Sequence, residues 1–177
     1  MGGWLLGLLL LLLSGSSKPD FNITSLEQRI FERVNQERQK AKLKPLIPAP
    51  KLSEIARTHS TDMAKRHYIA HVNPEGLTPS DRARSAGFEC HEMAGKYIYS
   101  GIAENIYQNN LYRRAVTTGA QIVYEWNTED AIAASSVSGW MKSPGHRANI
   151  LGTHYTRAGI GVAISSDQKV LITQDFC

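Results

Sequence analysis

Apolar residues at Leu26, Ile30 and Val34, with Phe31 beside them, recur at helical spacing and predict an amphipathic helix to about Lys42. Ahead of it, Thr24-Ser25-Leu26-Glu27 has the form of a capping box, a cap hydroxyl with Glu three residues on. Pro45, Pro48 and Pro50 make the next segment extended. Leu52, Ile55, Ala56, His59 and Met63 then share one face of a second helix ending near His67. Asn73-Pro74-Glu75-Gly76 signals a turn in an irregular loop. Thr78-Pro79-Ser80-Asp81 opens a short third helix, which Gly87 stops. A β-hairpin is expected over Tyr112 to Val123, turning at Thr117-Thr118-Gly119. A fourth helix starts at Thr128, with Glu129 and Asp130 in its first turn and Ile132, Val137, Trp140 and Met141 on its buried face. Ser143-Pro144-Gly145 breaks it. Ile160, Val162 and Ile164 alternate, Ser165-Ser166-Asp167 turns, and Val170 and Ile172 complete an antiparallel hairpin ending at Phe176. Helices and strands interleave without regular βαβ spacing, so the fold class is α/β, a single domain with a helix/sheet/helix layering.

The first residues stand apart from this pattern. Trp4 to Leu13 is apolar throughout, too short for a membrane span of about 20 residues but suited to the core of a signal peptide. Ser14, Gly15, Ser16 and Ser17 follow as small residues where cleavage is feasible, while no Lys or Arg precedes the run. Residues 1–17 therefore read as a signal peptide or a retained N-terminal anchor, 18–24 as a linker and 25–177 as the domain. The implied location is secreted and extracellular, or at the cell surface through the anchor. A hydrophobic content of 42% and a charged content of 20% exclude a chain disordered throughout. Twenty Lys and Arg against 16 Asp and Glu give +4, spread without a long run and without a nucleic-acid motif; Arg113-Arg114 reads as solvated surface, and no nucleic-acid partner is expected. Two cysteines, Cys90 and Cys177, in an exported chain make one disulfide the first expectation and two independent free thiols the alternative. Asn22-Ile23-Thr24 satisfies a glycosylation sequon, relevant only in a glycosylating host.

Three places carry candidate chemistry. His71 lies in Tyr68-Ile69-Ala70-His71-Val72-Asn73-Pro74-Glu75-Gly76. Glu104 lies in Ala103-Glu104-Asn105-Ile106, a carboxylate in an otherwise apolar stretch. His146 lies in Trp140-Met141-Lys142-Ser143-Pro144-Gly145-His146-Arg147-Ala148-Asn149-Ile150-Leu151. With Val34-Asn35-Gln36-Glu37-Arg38, Gly159-Ile160-Gly161-Val162-Ala163 and Thr173-Gln174-Asp175-Phe176-Cys177, this ordered set resembles the CAP superfamily (cysteine-rich secretory proteins, antigen 5, pathogenesis-related-1) across nearly all of 26–177, its bacterial and archaeal members foremost. The resemblance implies a CAP-type α-β-α sandwich with a mainly antiparallel central sheet. It also implies a cleft whose two His and two Glu are capable of holding a divalent metal, commonly zinc. His71 matches the first His, and Glu104 matches the Glu of Gly-Glu-Asn-Ile, with Ala103 where Gly is usual. His146 matches the second His. Glu129, in Trp126-x-x-Glu129, is the candidate second Glu. His154, before Tyr155 and Thr156, looks similar to a family signature, but counting back fourteen residues from Ile160 favours His146, and His154 reads as a loop residue.

Two neutral imidazoles bind zinc at about 2.0–2.1 Å, leaving positions open for water or substrate, and carboxylates orient such rings from behind. Without a metal, Glu104 would be a general base beside His146, but no nucleophile is evident nearby, Ser143 included. Bland roles fit other residues: His59 as a hydrogen-bonded core histidine, His67 and His91 as surface, Trp140 and Met141 as core, and Asn105, Arg147 and Asn149 as ties to the backbone. Three functions follow. The first is a secreted module binding a lipid, a sterol or the cell envelope through a metal-capable cleft. The second is a zinc-dependent hydrolase or peptidase with Glu104 as its catalytic residue. The third is a structural envelope protein with a silent cleft.

Overall fold

The spacing of Leu26, Ile30 and Val34 produces helix α1, Ile23–Lys40, and all three side chains are fully buried. The chain is seen in a computed structural model that describes residues 17–177, so the leader or anchor assigned to 1–17 lies outside the described residues except for Ser17. The cap of α1 differs from the expected Thr24 box. Asn22 caps it, accepting from Ser25 N at 3.0 Å, because an Asn two residues earlier satisfies the same orphan amides. Glu27, freed from capping, reaches Arg57 and the Val162 amide instead.

Strand β1 (Ile47–Pro48) precedes α2 (Pro50–Arg66), which closes on His67 in the left-handed conformation. Helix α3 (Pro79–Ser85) carries the expected capping box between Thr78 and Asp81. Two strands follow that the apolar pattern does not reveal, β2 (His91–Ala94) and β3 (Tyr97–Ser100), paired as a hairpin. Then come β4 (Ala103–Asn110), β5 (Tyr112–Thr118) and β6 (Gln121–Trp126), with β5 and β6 forming the expected hairpin. Helix α4 (Glu129–Lys142) starts from Thr128, whose hydroxyl accepts from Ala131 N at 3.1 Å. The Ser-Pro-Gly break is real but brief: Pro144, preset for a first helical turn, starts α5 (Pro144–Ile150). Strands β7 (Arg157–Ile164) and β8 (Lys169–Phe176) form the terminal hairpin.

The central sheet runs β1-β7-β8-β4, with β1 parallel to β7 and the other pairs antiparallel. Alternation along β8 sends Val170, Ile172 and Phe176 into a core shared with α1, α4 and α5, around the fully buried Trp140. Leu171 and Cys177 join smaller clusters with α2 and α3 on the other face. The result is an α-β-α sandwich. Helix α2 lies almost on the backbone of β7: a Cβ on Gly161 would stand 2.0 Å from Arg57 N, and one on Gly159 2.2 Å from Ser53 N. Cys90 and Cys177 are joined in a disulfide that ties the end of β8 to the segment before β2. No helix among the described residues is long and apolar enough to cross a membrane.

Candidate functional site

Glu104 organises the site. It sits on β4 with a side chain 1% exposed, held in place because β4 pairs with β8 and is anchored to α5. The Asn149 side chain donates to Glu104 O (3.2 Å) and to Asn105 Oδ1 (2.9 Å), and Asn105 in turn donates to His146 O (3.1 Å). Asn105 and Asn149 thus fasten the first turn of α5 to the strand that carries Glu104, as the polar ties expected of them; Arg147 is exposed.

Both oxygens of Glu104 are engaged. His71 Nδ1 donates to Oε1 at 2.7 Å, and Arg82 Nη2 donates to Oε2. Arg82, only 9% exposed, also holds the loop that carries His71, donating through Nη1 to His71 O (2.7 Å) and Leu77 O (3.1 Å). On the neighbouring strand, Asp175 stands directly opposite Glu104 and is 1% exposed. Burial, the Glu104 charge and a hydrogen bond to Glu104 push its carboxyl well above the usual range, against the partial pull of Arg82. The shift favours the neutral acid for Asp175, the less costly form for a second carboxyl beside Glu104. A charge buried this deeply needs such company, and Glu104 has a guanidinium, an imidazole and a carboxylic acid.

His59 backs the cluster. Its Nε2 donates to Ala70 O at 2.9 Å and lies 4.0 Å from Glu104 Oε2; burial lowers its pKa, so the ring is neutral. It is the hydrogen-bonded core histidine that its place on α2 suggests. His146, in the first turn of α5, also has a lowered pKa, first through burial and then through the His71 charge. The His71 and His146 rings lie 6.2 Å apart between centroids, inclined at 51°. His71, Glu104 and His146 are thus brought together from a loop, a strand and a helix.

Glu129 is not part of this group, a correction to its assignment as the second cleft Glu. Its Oε1 accepts from Asn22 N (2.9 Å) and its Oε2 from Ser25 Oγ (2.6 Å), with Arg29 at 3.4 Å. Those bonds, Ser25 first, hold its carboxyl below the usual range. An acid in the first turn of α4 lies where the start of α1 crosses it, and there it closes the N-terminus of the domain. The other buried acid beside Glu104 is Asp175. Sequence patterns miss it because its role depends on the β4–β8 register, and Thr173 and Gln174 before it make Asp175 one more polar residue in β8. Arg82 escapes for a similar reason, sitting in a polar helix whose capping box attracts the attention. His154 stacks on Tyr99 with centroids 4.0 Å apart, outside the cluster, and His67 and His91 are exposed.

Among the described residues, no three or more His, Cys, Asp or Glu groups converge as metal ligands. Two imidazoles remain to be tested. A metal at about 2.1 Å from a ring nitrogen sits about 3 Å from that ring's centroid, so two rings ligating tetrahedrally lie about 5 Å apart. The 6.2 Å separation is about 1 Å longer than that, so one ring must turn or shift inward to ligate. His71 has the expected support for such a role, its Nδ1–H held by a carboxylate so that Nε2 keeps its lone pair.

Residues 31–176 match the model of the cysteine-rich secretory protein family, CAP. The chain is 30% identical over 155 residues to the uncharacterized protein YkwD of Bacillus subtilis, covering 88% of this chain and 48% of that protein. A crystal structure of an extracellular protein containing an SCP domain from Bacillus anthracis is similar at TM-score 0.62 and 25% identity, covering 90% of this chain and 44% of that one. The crystal structure of NaASP2 with Zn2+ shares the fold at TM-score 0.55 and 11% identity, over 90% of this chain and 83% of that one. The chain spans less than half the length of the two Bacillus proteins. With its matched span, its sandwich and its His-Glu-His cleft in the family's order, the chain belongs to the cysteine-rich secretory protein (CAP) family.

Proposed function

We propose that the protein works outside the cell as a binding module whose cleft holds a divalent metal, zinc foremost, between His71 and His146. The observation that carries this reading is the 2.7 Å bond from His71 Nδ1 to a Glu104 whose other oxygen is taken by Arg82. That bond fixes the His71 tautomer and leaves Nε2 as a ready ligand, while depressed basicity keeps His146 neutral and able to ligate. A metal held by two imidazoles supplies open coordination positions for oxygen groups of a ligand. The chemistry of that ligand, a lipid, a sterol or a component of the cell envelope, belongs to the proposal. Extracellular placement is supported by the Cys90–Cys177 disulfide, by the apolar leader and by the extracellular Bacillus anthracis protein of the same fold.

The geometry favours binding over hydrolysis. A general base needs a free lone pair aimed at a water, and Glu104 spends one oxygen on His71 and the other on Arg82. Calorimetric titration with zinc tests the reading. Binding is expected in the wild type and lost in His71→Ala and in His146→Ala. Zinc binding that survives both substitutions sinks it.

A further inference from the structure

Four of the nine large hydrophobic side chains exposed among the described residues sit on one hairpin, β2–β3: Met93 (75% exposed), Tyr97 (60%), Ile98 (66%) and Tyr99 (42%). Gly95, at φ +62, opens the two-residue turn Gly95-Lys96 that joins the strands. Met93 pairs with Ile98, so both lie on one face of the ribbon. The opposite face leans on the body: Glu92 accepts from Arg157 at 2.8 Å, and Tyr99 stacks on His154 with centroids 4.0 Å apart. At the base, the Cys90–Cys177 disulfide and the bond from Gly101 N to Cys90 O fix the hairpin to the end of β8. An apolar tip is thus held out on a braced support, and exposure concentrated in this way marks an interaction surface.

Area and charge select the occupant. At about 200 Å² for a full side chain, the four residues expose about 500 Å², short of the roughly 800 Å² per partner of a stable dimer. From Met93 to Tyr99 the only charged residue is Lys96, its Nζ 5.4 Å from the centre of the Tyr97 ring. The nearby acids are matched at the base, Glu92 by Arg157 and Glu89 by His91 at 3.5 Å. Aliphatic side chains enter lipid, tyrosines favour the boundary between headgroups and acyl chains, and a long cation reaches back to phosphate. The tip combines all three. The net charge of +4 favours approach to an anionic surface.

We infer that the β2–β3 tip docks the domain on an anionic phospholipid surface, with Met93 and Ile98 at the acyl boundary, Tyr97 among the headgroups and Lys96 against phosphate. This contact is separate from the His71–His146 cleft and needs no metal there. The chain from Lys18 onward holds every element of the fold and keeps the apolar leader out of the measurement. Its co-sedimentation with vesicles of equal phosphatidylglycerol and phosphatidylcholine, against phosphatidylcholine alone, is the test, and melting curves report folding of each variant. Binding to the mixed vesicles is expected, weakened at least about tenfold by Met93→Ser with Ile98→Ser and at least about fivefold by Lys96→Glu. Arg114→Glu changes the net charge equally, but on the β5–β6 hairpin, which is rooted at the opposite end of β8 by the bond from Leu111 N to Gln168 O. That end is about 25 Å away along the strand, beyond the screening length, so binding should stay within about twofold. His146→Ala should leave it unchanged. The inference is overturned if neither vesicle binds, if the serine pair or Lys96→Glu binds as tightly as the wild type, if Arg114→Glu weakens binding as much as Lys96→Glu, or if His146→Ala abolishes it. A dimer in sedimentation equilibrium that the serine pair dissociates would equally overturn it, assigning the tip to a second copy of the chain.

Discussion

Removing Glu104 strips Arg82 of its buried counter-charge, and the response of Asp175 decides how much that costs. Arg82 is 9% exposed and Glu104 1% exposed, so breaking this pair from one side is in the class that destabilises by about 3–5 kcal/mol. Asp175 lies directly across the β4–β8 ladder, and burial first and the Glu104 charge second push its carboxyl well above the usual range, toward the protonated form. In Glu104→Ala that repulsion is gone, and Asp175 can ionise and take over the guanidinium. The single substitution should therefore cost less than the full penalty, about 2 kcal/mol. Asp175→Asn replaces a neutral acid by a neutral amide of the same shape and leaves the His71 and Arg82 bonds to Glu104 in place, so it should cost under about 1 kcal/mol at neutral pH. The double variant has no acid left to ionise and should lose about 4 kcal/mol, at least about 1 kcal/mol more than the two single losses together. Urea unfolding of the four proteins at neutral pH measures this coupling. A sum additive to within about 0.5 kcal/mol would falsify the proton-sharing account of the pair.

Asp175 also sets a pH signature. Its folded pKa is raised, so its contribution is fully present below the unfolded carboxylate range and lost as pH rises through the folded value; stability curves of wild type and Asp175→Asn should converge or cross with rising pH, and parallel curves would contradict the assignment. The Cys90–Cys177 bridge closes a separation of 87 residues, so the double Ser variant should lose about 4–5 kcal/mol in urea, whereas a loss below about 1 kcal/mol would remove the bridge as a major support. Gly161→Ala drives a methyl to 2.0 Å from Arg57 N and should cost at least about 2 kcal/mol by lifting α2 off β7, while Gly145→Ala, with no atom within 4 Å, should change the melting temperature by no more than about 2 °C. Equal effects at the two glycines would discredit the close-packing argument.

What the residues disclose in advance follows from what their periodicity can encode. Helices α1, α2 and α4 bury one clear face, so Leu26, Leu52 and Ile132 announce them, and the β7–β8 hairpin, buried on both faces, shows through the β-branched residues Ile160, Val162, Val170 and Ile172. The β2–β3 hairpin buries no such face: Met93, Tyr97, Ile98 and Tyr99 are all exposed, and alternation carries no information there. Strand β4 is obscured differently, because Glu104 and Asn105 are buried polar residues in consecutive positions and break the apolar count. His71, Glu104 and His146 are legible through local motifs. Asp175 and Arg82 are not, since they become site residues only once β4 meets β8 and α3 folds over the loop. Glu129 shows the reverse error: its spacing from Trp126 suggests a cleft carboxylate, but the hydroxyl and amide of Ser25 and Asn22 hold it at the end of α1.

The two histidines of the cleft are not equivalent, and this bears on how a metal would be held. His71 is ordered through its side chain, with Nδ1 on a carboxylate that is itself clamped by the Arg82 guanidinium. His146 is placed through its backbone, its carbonyl accepting from Asn105 of β4 while Asn149 ties the far end of α5 to the same strand. One ring is therefore aimed in advance, and the other is delivered to the right neighbourhood with its own rotation to lose on binding. Ordering that second ring draws on the free energy of coordination, which argues for a moderate affinity even where the ligand atoms suit the metal. The buried charges reinforce the asymmetry. Glu104 and Arg82 cancel, His59 is neutral, and the raised pKa of Asp175 favours its neutral form, so little net negative charge reaches His71 to attract a cation. A metal at this cleft would be held by imidazole lone pairs alone, and protonation of those nitrogens would release it.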